Sequence, residues 1–208
     1  WSLLREAWPD VRYVTISPAR QAELATLLGI EQASITVITP GVAVDTFWGW
    51  TETTRSLVEQ FALMDADLIL LAPMRLTRRK NVEMALQILA ALRQQTALDC
   101  RLIVTGPPGP HNPGNQAYLE NLLSLRYALG LEPHAHFLYA AGPDAGTPLR
   151  IDDPTMSNLY QLSDGLLFPS TQEGFGIPIL EAGLARLPIF CTDIPPLRHT
   201  AQADAFYF

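Results

Sequence analysis

Short apolar runs pace the second half of the chain, each closed by a turn and followed by a stretch with helical spacing. Leu68 to Ala72, Arg101 to Thr105, His136 to Leu138, Asp164 to Ser170 and Pro188 to Cys191 are all of strand length. The first is continuously apolar, as strands covered on both faces of a parallel sheet are. After it, Val82, Ala85, Leu86, Leu89 and Leu92 recur at helical spacing, and Leu119, Leu122, Leu123 and Arg126 do so ahead of the third run. Strands alternating with helices in this way predict an α/β fold, a Rossmann-like parallel sheet with helices on both faces. With 208 residues and 48% hydrophobic side chains, the chain can enclose one sizeable core.

The flanking segments are less regular. Residues 1–10 allow a short helix with Trp1, Leu4 and Trp8 on one side, and Val11 to Ile16 reads as a strand. Ser17 is suited to cap a helix that carries Pro18 at its first position and stops at Gly29. A short strand is expected over Ile35 to Thr39. Residues 46–66 are polar and mixed, with a helix expected near Arg55 to Leu63. Asn115 is placed to cap a helix that runs to Leu129. Residues 139–154 lack a period and read as a loop, Ser157 to Leu162 as a brief helix, and Ala205 to Phe208 as a last strand.

A formal net charge of −7 disfavours nonspecific nucleic-acid binding, so any phosphate binding has to be local. Cys100 and Cys191 lie in apolar runs without a CxxC or Cys/His cluster, which fits reduced core residues of a cytoplasmic protein. No run approaches the roughly 18 apolar residues of a membrane span, and no secretory leader is read, so membrane association is not indicated. The chain starts at Trp1 and stops at Phe208 just after a strand, and is expected to be a fragment.

Two stretches carry chemistry. In Ser170 to Pro188, Gly174 and Gly176 clear a turn and Pro178 suits the first position of a helix. Unpaired N–H groups around Gly176 to Leu180 then form an anion-binding end. Glu173 precedes the glycines and Glu181 follows about one turn into the helix, both able to accept hydrogen bonds from hydroxyl groups. A Gly-rich turn ahead of a helix is also an ordinary structural device, and both readings stand at this point. The second stretch is Arg75, Arg78, Arg79 and Lys80, between the first strand and its helix. Four cations at the carboxyl end of a sheet strand suit an anionic ligand, and a solvated basic turn is the alternative.

Glu173-x7-Glu181 enclosing Gly174-Phe175-Gly176-Ile177-Pro178 closely resembles the signature of the retaining glycosyltransferases of family 4, which have the two-domain GT-B fold. The resemblance implies that Glu173 contacts donor-sugar hydroxyls, Glu181 the ribose hydroxyls, and the amides near Phe175, Gly176 and Ile177 the sugar or diphosphate. Arg75 and Lys80 match the family's Arg-Leu-x3-Lys, with Met74 and Asn81 in place of its glycines, and become diphosphate clamps. Arg78 and Arg79 receive no role and are expected to be exposed. Gly106 matches a turn near the nucleotide; His111, in the loop after it, has no match in the family and reads either as a solvated loop histidine or as a group that reaches a ligand. Arg186 stands where the family commonly has a glycine of positive φ, and Thr39-Pro40, Ala43 and His199 are further departures.

Under this resemblance, residues 1–45 are the tail of an N-terminal domain or an interdomain segment, and residues 46–208 a donor-binding domain, truncated at both ends. A nucleoside diphosphate sugar is substrate, no metal or other cofactor is implied, and the hydroxyl acceptor is held mainly by an absent N-terminal domain. Alone, the chain is expected to be inactive. A nucleotide-binding module without activity is the alternative, whereas a dehydrogenase is disfavoured because no Gly-x-Gly-x-x-Gly opens a helix after a strand.

Overall fold

A computed structural model describes residues 6–41, 44–109, 114–142 and 147–208. The chain divides into two compact units, Trp1–Phe47 and Trp48–Phe208. In the first, β1 (Tyr13–Thr15) and β2 (Ile35–Val37) pair in parallel across α1 (Pro18–Leu28). Ser17 Oγ accepts from the Arg20 N–H at 3.3 Å, and Gly29 closes the helix at φ 62°. Residues 6–10 are not helical, and the expected helix residues Trp1 and Leu4 lie outside the described residues. A short helix, α2 (Val44–Trp48), and α3 (Glu52–Gln60) follow in sequence.

The second unit is built on six parallel strands: β3 (Leu68–Ala72), β4 (Cys100–Val104), β5 (Ala135–Phe137), β6 (Gly165–Phe168), β7 (Ile189–Cys191) and β8 (Phe206–Tyr207). Their order across the sheet is β5-β4-β3-β6-β7-β8. Leu70 stands opposite Leu102 on one side and Gly165 on the other. Parallel crossovers are right-handed, so a chain that winds one way from β3 to β5 and the other way from β6 to β8 lays its helices on opposite faces. Hence α4 (Val82–Thr96) and α5 (Gly114–Ala128) cover one face, and α7 (Ile177–Leu184) and α8 (Pro195–Ala201) the other. The apolar runs are fully enclosed: Leu71, Ala72, Leu102, Ile103, Leu166 and Phe168 have no exposed surface. The α/β, Rossmann-like parallel sheet expected from the sequence is the observed fold. Among the described residues, no helix is long and apolar enough to cross a membrane.

Several local boundaries differ from expectation because capping groups act earlier than the apolar stripe begins. The helix expected near Arg55 to Leu63 starts at Glu52, since Thr51 Oγ1 accepts from the Thr54 N–H at 3.0 Å. The same Thr51 joins a polar knot with Thr54, Thr155 and Asn158 that docks α3 on α6 (Asp153–Leu162). The start of α6 therefore lies within the segment read as a loop, where Asp152 accepts from the Thr155 N–H at 2.9 Å. Asn115 is no cap. It sits inside α5, buried, and its Nδ2 donates to the Gly109 carbonyl at 2.8 Å. The segment from Pro195 to Ala201, given no element in the sequence reading, is α8.

Arg186 occupies the left-handed region at φ 59°, one residue past the cap of α7, and its N–H donates to the Gly183 carbonyl at 3.1 Å. Its exposed side chain makes no hydrogen bond or ion pair among the described residues that would offset the steric strain. Arg186→Gly is expected to stabilise the domain by about 1 kcal/mol, read from the midpoint of urea unfolding at unchanged slope. A lower midpoint would show that the arginine contributes packing that outweighs its backbone strain.

Candidate functional site

In a sheet of this order, the strands adjoining the reversal of winding send their following loops to opposite faces, and a crevice opens at their carboxyl ends. Here those strands are β3 and β6. The loop after β3 carries Arg75 to Lys80, and the loop after β6 carries Ser170 to Gly176. The two lock together. Arg79 offers its carbonyl to the Thr171 N–H at 2.8 Å and to Thr171 Oγ1 at 3.2 Å. Its guanidinium donates to the Gln172 carbonyl at 3.1 Å and lies 3.5 Å from Glu173.

Glu173 and Lys80 form the centre of this lock. Lys80 Nζ donates to Glu173 Oε1, and the two side chains are only 11% and 8% exposed. The ammonium also lies 4.8 Å from the centre of the Phe168 ring, a cation–π contact on the last residue of β6. Lys80 reaches this position because a single 3₁₀ turn, Arg78–Lys80, is followed by Asn81 at φ 51°. Asn tolerates that left-handed conformation better than other side-chain-bearing residues, which accounts for its place where the resembling family has glycine. An ammonium has three donors. Among the described residues Glu173 accepts from one, which leaves donors for an anion.

The helix α7 starts where the same loop ends. Gly176 has φ 91° and provides no side-chain cap; Pro178 has no N–H and the Ile179 N–H donates to the Gly176 carbonyl at 2.9 Å, so the polarised amino end of α7 is carried mainly by the Ile177 N–H and the helix dipole. A Cβ at Gly176 would lie 2.7 Å from Leu197, while Gly174 has open space around it. Phe175 and Ile177 are exposed beside it. Glu181, about one turn into α7, accepts a hydrogen bond from the Tyr160 hydroxyl at 2.6 Å. Burial, reinforced by this carboxylate, raises the Tyr160 pKa, so the phenol stays a donor and holds Glu181 in place.

Arg75 stands apart: it is exposed and, among the described residues, makes no hydrogen bond or ion pair. It lines a cleft of about 630 Å³ together with Gly106, Tyr139, Leu149, Ile151 and Met156. Gly106 is required there, since a Cβ would fall 2.1 Å from the Met74 carbonyl oxygen. That close approach lets the loop after β4 run beside the loop after β3, with the Leu76 N–H donating to the Pro107 carbonyl at 2.9 Å. The structure thus joins Glu173 to Lys80 and Gly106 to Arg75. Glu181 forms no hydrogen bond or ion pair with either group. His111 lies outside the described residues. Among the described residues, no cluster of three or more His, Cys, Asp or Glu side chains could hold a metal ion.

Sequence reasoning left Arg79 and Tyr160 without a role. Arg79 is exposed, as expected, yet it ties the two loops mainly through backbone groups, which no residue pattern announces. Tyr160 reads in sequence as part of the apolar face of α6, and only the packing of α6 beside α7 turns its hydroxyl toward Glu181.

The sequence profile of the family described as "Glycosyl transferases group 1" matches residues 54–205. Among curated proteins, the D-inositol 3-phosphate glycosyltransferase of Kineococcus radiotolerans is 29% identical over 93% of this chain and 42% of its own length. The serotype-specific mannosyltransferase WbdA of Escherichia coli is 43% identical over a short stretch, 28% of this chain and 7% of WbdA. The chain spans less than half the length of these relatives. Among solved structures, HepE of Anabaena in complex with UDP superposes with a TM-score of 0.58 at 21% identity, covering 94% of this chain and 49% of HepE. WaaG, a glycosyltransferase involved in lipopolysaccharide biosynthesis, gives 0.51 at 21% identity, covering 99% of this chain and 51% of WaaG. These likenesses establish one half of a GT-B fold.

The lock between the two loops is testable without any ligand. Removing one member of the Lys80 and Glu173 pair leaves the other charge buried, so Lys80→Met or Glu173→Gln alone is expected to cost about 3 kcal/mol. The double variant should cost well under the sum in urea unfolding. Additive losses would mean that the two side chains do not interact.

Proposed function

The chain belongs to the glycosyl transferases group 1 family, and on that premise we propose that its second unit binds a nucleoside diphosphate sugar and serves retaining transfer of a hexosyl group to a hydroxyl acceptor. The observation that carries this reading is the convergence of Lys80, Glu173 and the amino end of α7 at the reversal of the sheet, beside the cleft that holds Arg75. The diphosphate would lie between Arg75, Lys80 and the amino end of α7, where the Ile177 N–H is the first helical donor. Glu173 would accept from donor-sugar hydroxyls, and Glu181, oriented by Tyr160, from the ribose. The base would enter the cleft walled by Tyr139, Leu149 and Met156.

As the glycosidic bond breaks, negative charge develops on the leaving diphosphate. Arg75, Lys80 and the α7 end stabilise that charge more than they stabilise the intact donor, which is how fixed donors lower a barrier. Glu173 has a double part, since the same carboxylate holds Lys80 in position and offers its remaining acceptor capacity to the sugar. The phosphate oxygen of the leaving group would take the acceptor proton on the face where the new bond forms, consistent with retention. In this reading the acceptor is held by a portion of the protein that the longer relatives possess outside the matched region. The chain alone would then bind the donor without transferring it.

Calorimetric titration with UDP, GDP and ADP is the direct test, UDP first because the HepE structures contain UDP and UDP-glucose. One nucleotide is expected to bind selectively, with affinity reduced about tenfold or more in Glu181→Ala, as loss of a charged hydrogen-bond acceptor implies. Lys80→Ala should weaken the diphosphate more than the monophosphate. Equal loss for both would remove Lys80 from the diphosphate site, and nucleotide binding indifferent to Glu181 would remove the ribose assignment.

A further inference from the structure

Helix α6 turns two different faces to its neighbours. On one, Thr155 and Asn158 join the knot with α3: Asn158 Oδ1 accepts from the Thr51 N–H and from Thr54 Oγ1, each at 3.0 Å, and Thr155 Oγ1 lies 2.8 Å from Thr51 Oγ1. On the other lie Met156 and Tyr160, four positions apart and therefore one above the other along the helix. Tyr160 is only 4% exposed, and its hydroxyl donates to Glu181 Oε2 at 2.6 Å. The other oxygen of that half-buried carboxylate, Oε1, has no partner among the described residues. Met156 borders both the cleft that holds Arg75 and a groove of about 300 Å³ lined by Ser157, Tyr160, Glu181 and Leu184.

A glutamate side chain turns about several bonds, and its carboxylate binds best when that freedom is lost before the ligand arrives. The Tyr160 ring, enclosed by packing on a helix that α3 anchors from behind, is such a restraint. We propose that α6 forms the floor of the nucleoside site: Met156 underlies the nucleoside where the cleft and the groove border on one side chain, and Tyr160 is a positioning residue that holds the Glu181 carboxylate for the sugar, so that the site selects a ribose carrying both hydroxyls over a deoxyribose. The inference rests on the donor reading above and adds to it two residues of α6 and a selectivity.

The direction of the hydrogen bond matters. Burial, with the Glu181 carboxylate beside it, raises the Tyr160 pKa, so the phenol keeps its proton and remains the donor. One acceptor site on Oε2 is then filled, and Oε1 is left to hydroxyl groups, each of which can donate to an ionised carboxylate. A sugar that lacks those hydroxyls displaces water from the carboxylate without replacing its hydrogen bonds, which is the physical source of the selectivity.

Calorimetry of the whole chain reads the selectivity, with UDP, or whichever of GDP and ADP binds in its place, its 2′,3′-dideoxy form and inorganic pyrophosphate as probes. The wild-type chain is expected to bind the ribose form about tenfold or more tighter than the dideoxy form. Tyr160→Phe keeps the buried ring and should reduce that ratio about fivefold, with pyrophosphate affinity unchanged and no further loss in the Glu181→Ala background. A hydrogen bond that merely pins α6 to α7 would lower the midpoint of urea unfolding and leave the ratio where it was, and that outcome overturns the proposal. Should Tyr160→Phe not fold, the ε-methyl resonance of Met156, assigned by Met156→Leu, decides in the wild-type chain. It is expected to move with the nucleotide and not with pyrophosphate, and a silent methyl overturns the proposal. Absence of nucleotide binding by the wild-type chain would instead remove the donor reading, and this inference with it.

Discussion

The reversal of winding between β3 and β6 is the constraint on which everything else in this domain depends. Parallel strands need a crossover helix, and the crossovers are right-handed, so a sheet that grows outward in both directions from its middle must place helices on opposite faces. At the point of reversal no crossover covers the carboxyl ends of the two central strands. The loops after β3 and β6 therefore face one another across an open crevice. The lock of Lys80 and Arg79 onto Glu173, Gln172 and Thr171 is what that geometry permits.

Energetically, the lock is a charge pair taken largely out of water. Such a pair adds little net stability relative to apolar packing, but breaking it leaves a buried charge, so it specifies one arrangement of two loops more than it strengthens the fold. Around it, the backbone is shaped at a few positions where a side chain would collide or strain. Gly106 lets one loop touch another, Gly176 turns the chain into α7, and Asn81 takes a left-handed conformation so that Lys80 points inward. Function and local conformation meet at these residues.

Two clefts divide the carboxyl side and the edge of the sheet, one holding Arg75 and the other lined by Arg101, Arg126 and His136. The cleft with Arg75 carries an exposed cation, whereas at the β5 edge the Arg101 guanidinium is tied to Asp99 and to the Phe61 and Ala62 carbonyls. The segment after β5 lies between them.

By itself the sequence determined the alternation of strand and helix, and with it the sheet, because the stripe of Val82, Ala85, Leu86 and Leu89 has a period that a helix satisfies, while the continuous run Leu68 to Ala72, bounded by turns, has the length of a buried strand. It also placed Glu173, Glu181, Arg75 and Lys80 in loops or at helix starts, since glycine and proline mark those ends locally. It did not place the caps at Thr51 and Asp152, whose effect exceeded that of the apolar stripe, nor show that Asn115 anchors a loop. Only the tertiary structure decided that Lys80 meets Glu173, 93 positions away, that Arg79 ties the loops together, and that Tyr160 holds Glu181. Those contacts depend on which strands are neighbours and which way each helix faces, and these are properties of the packed sheet rather than of any segment within it.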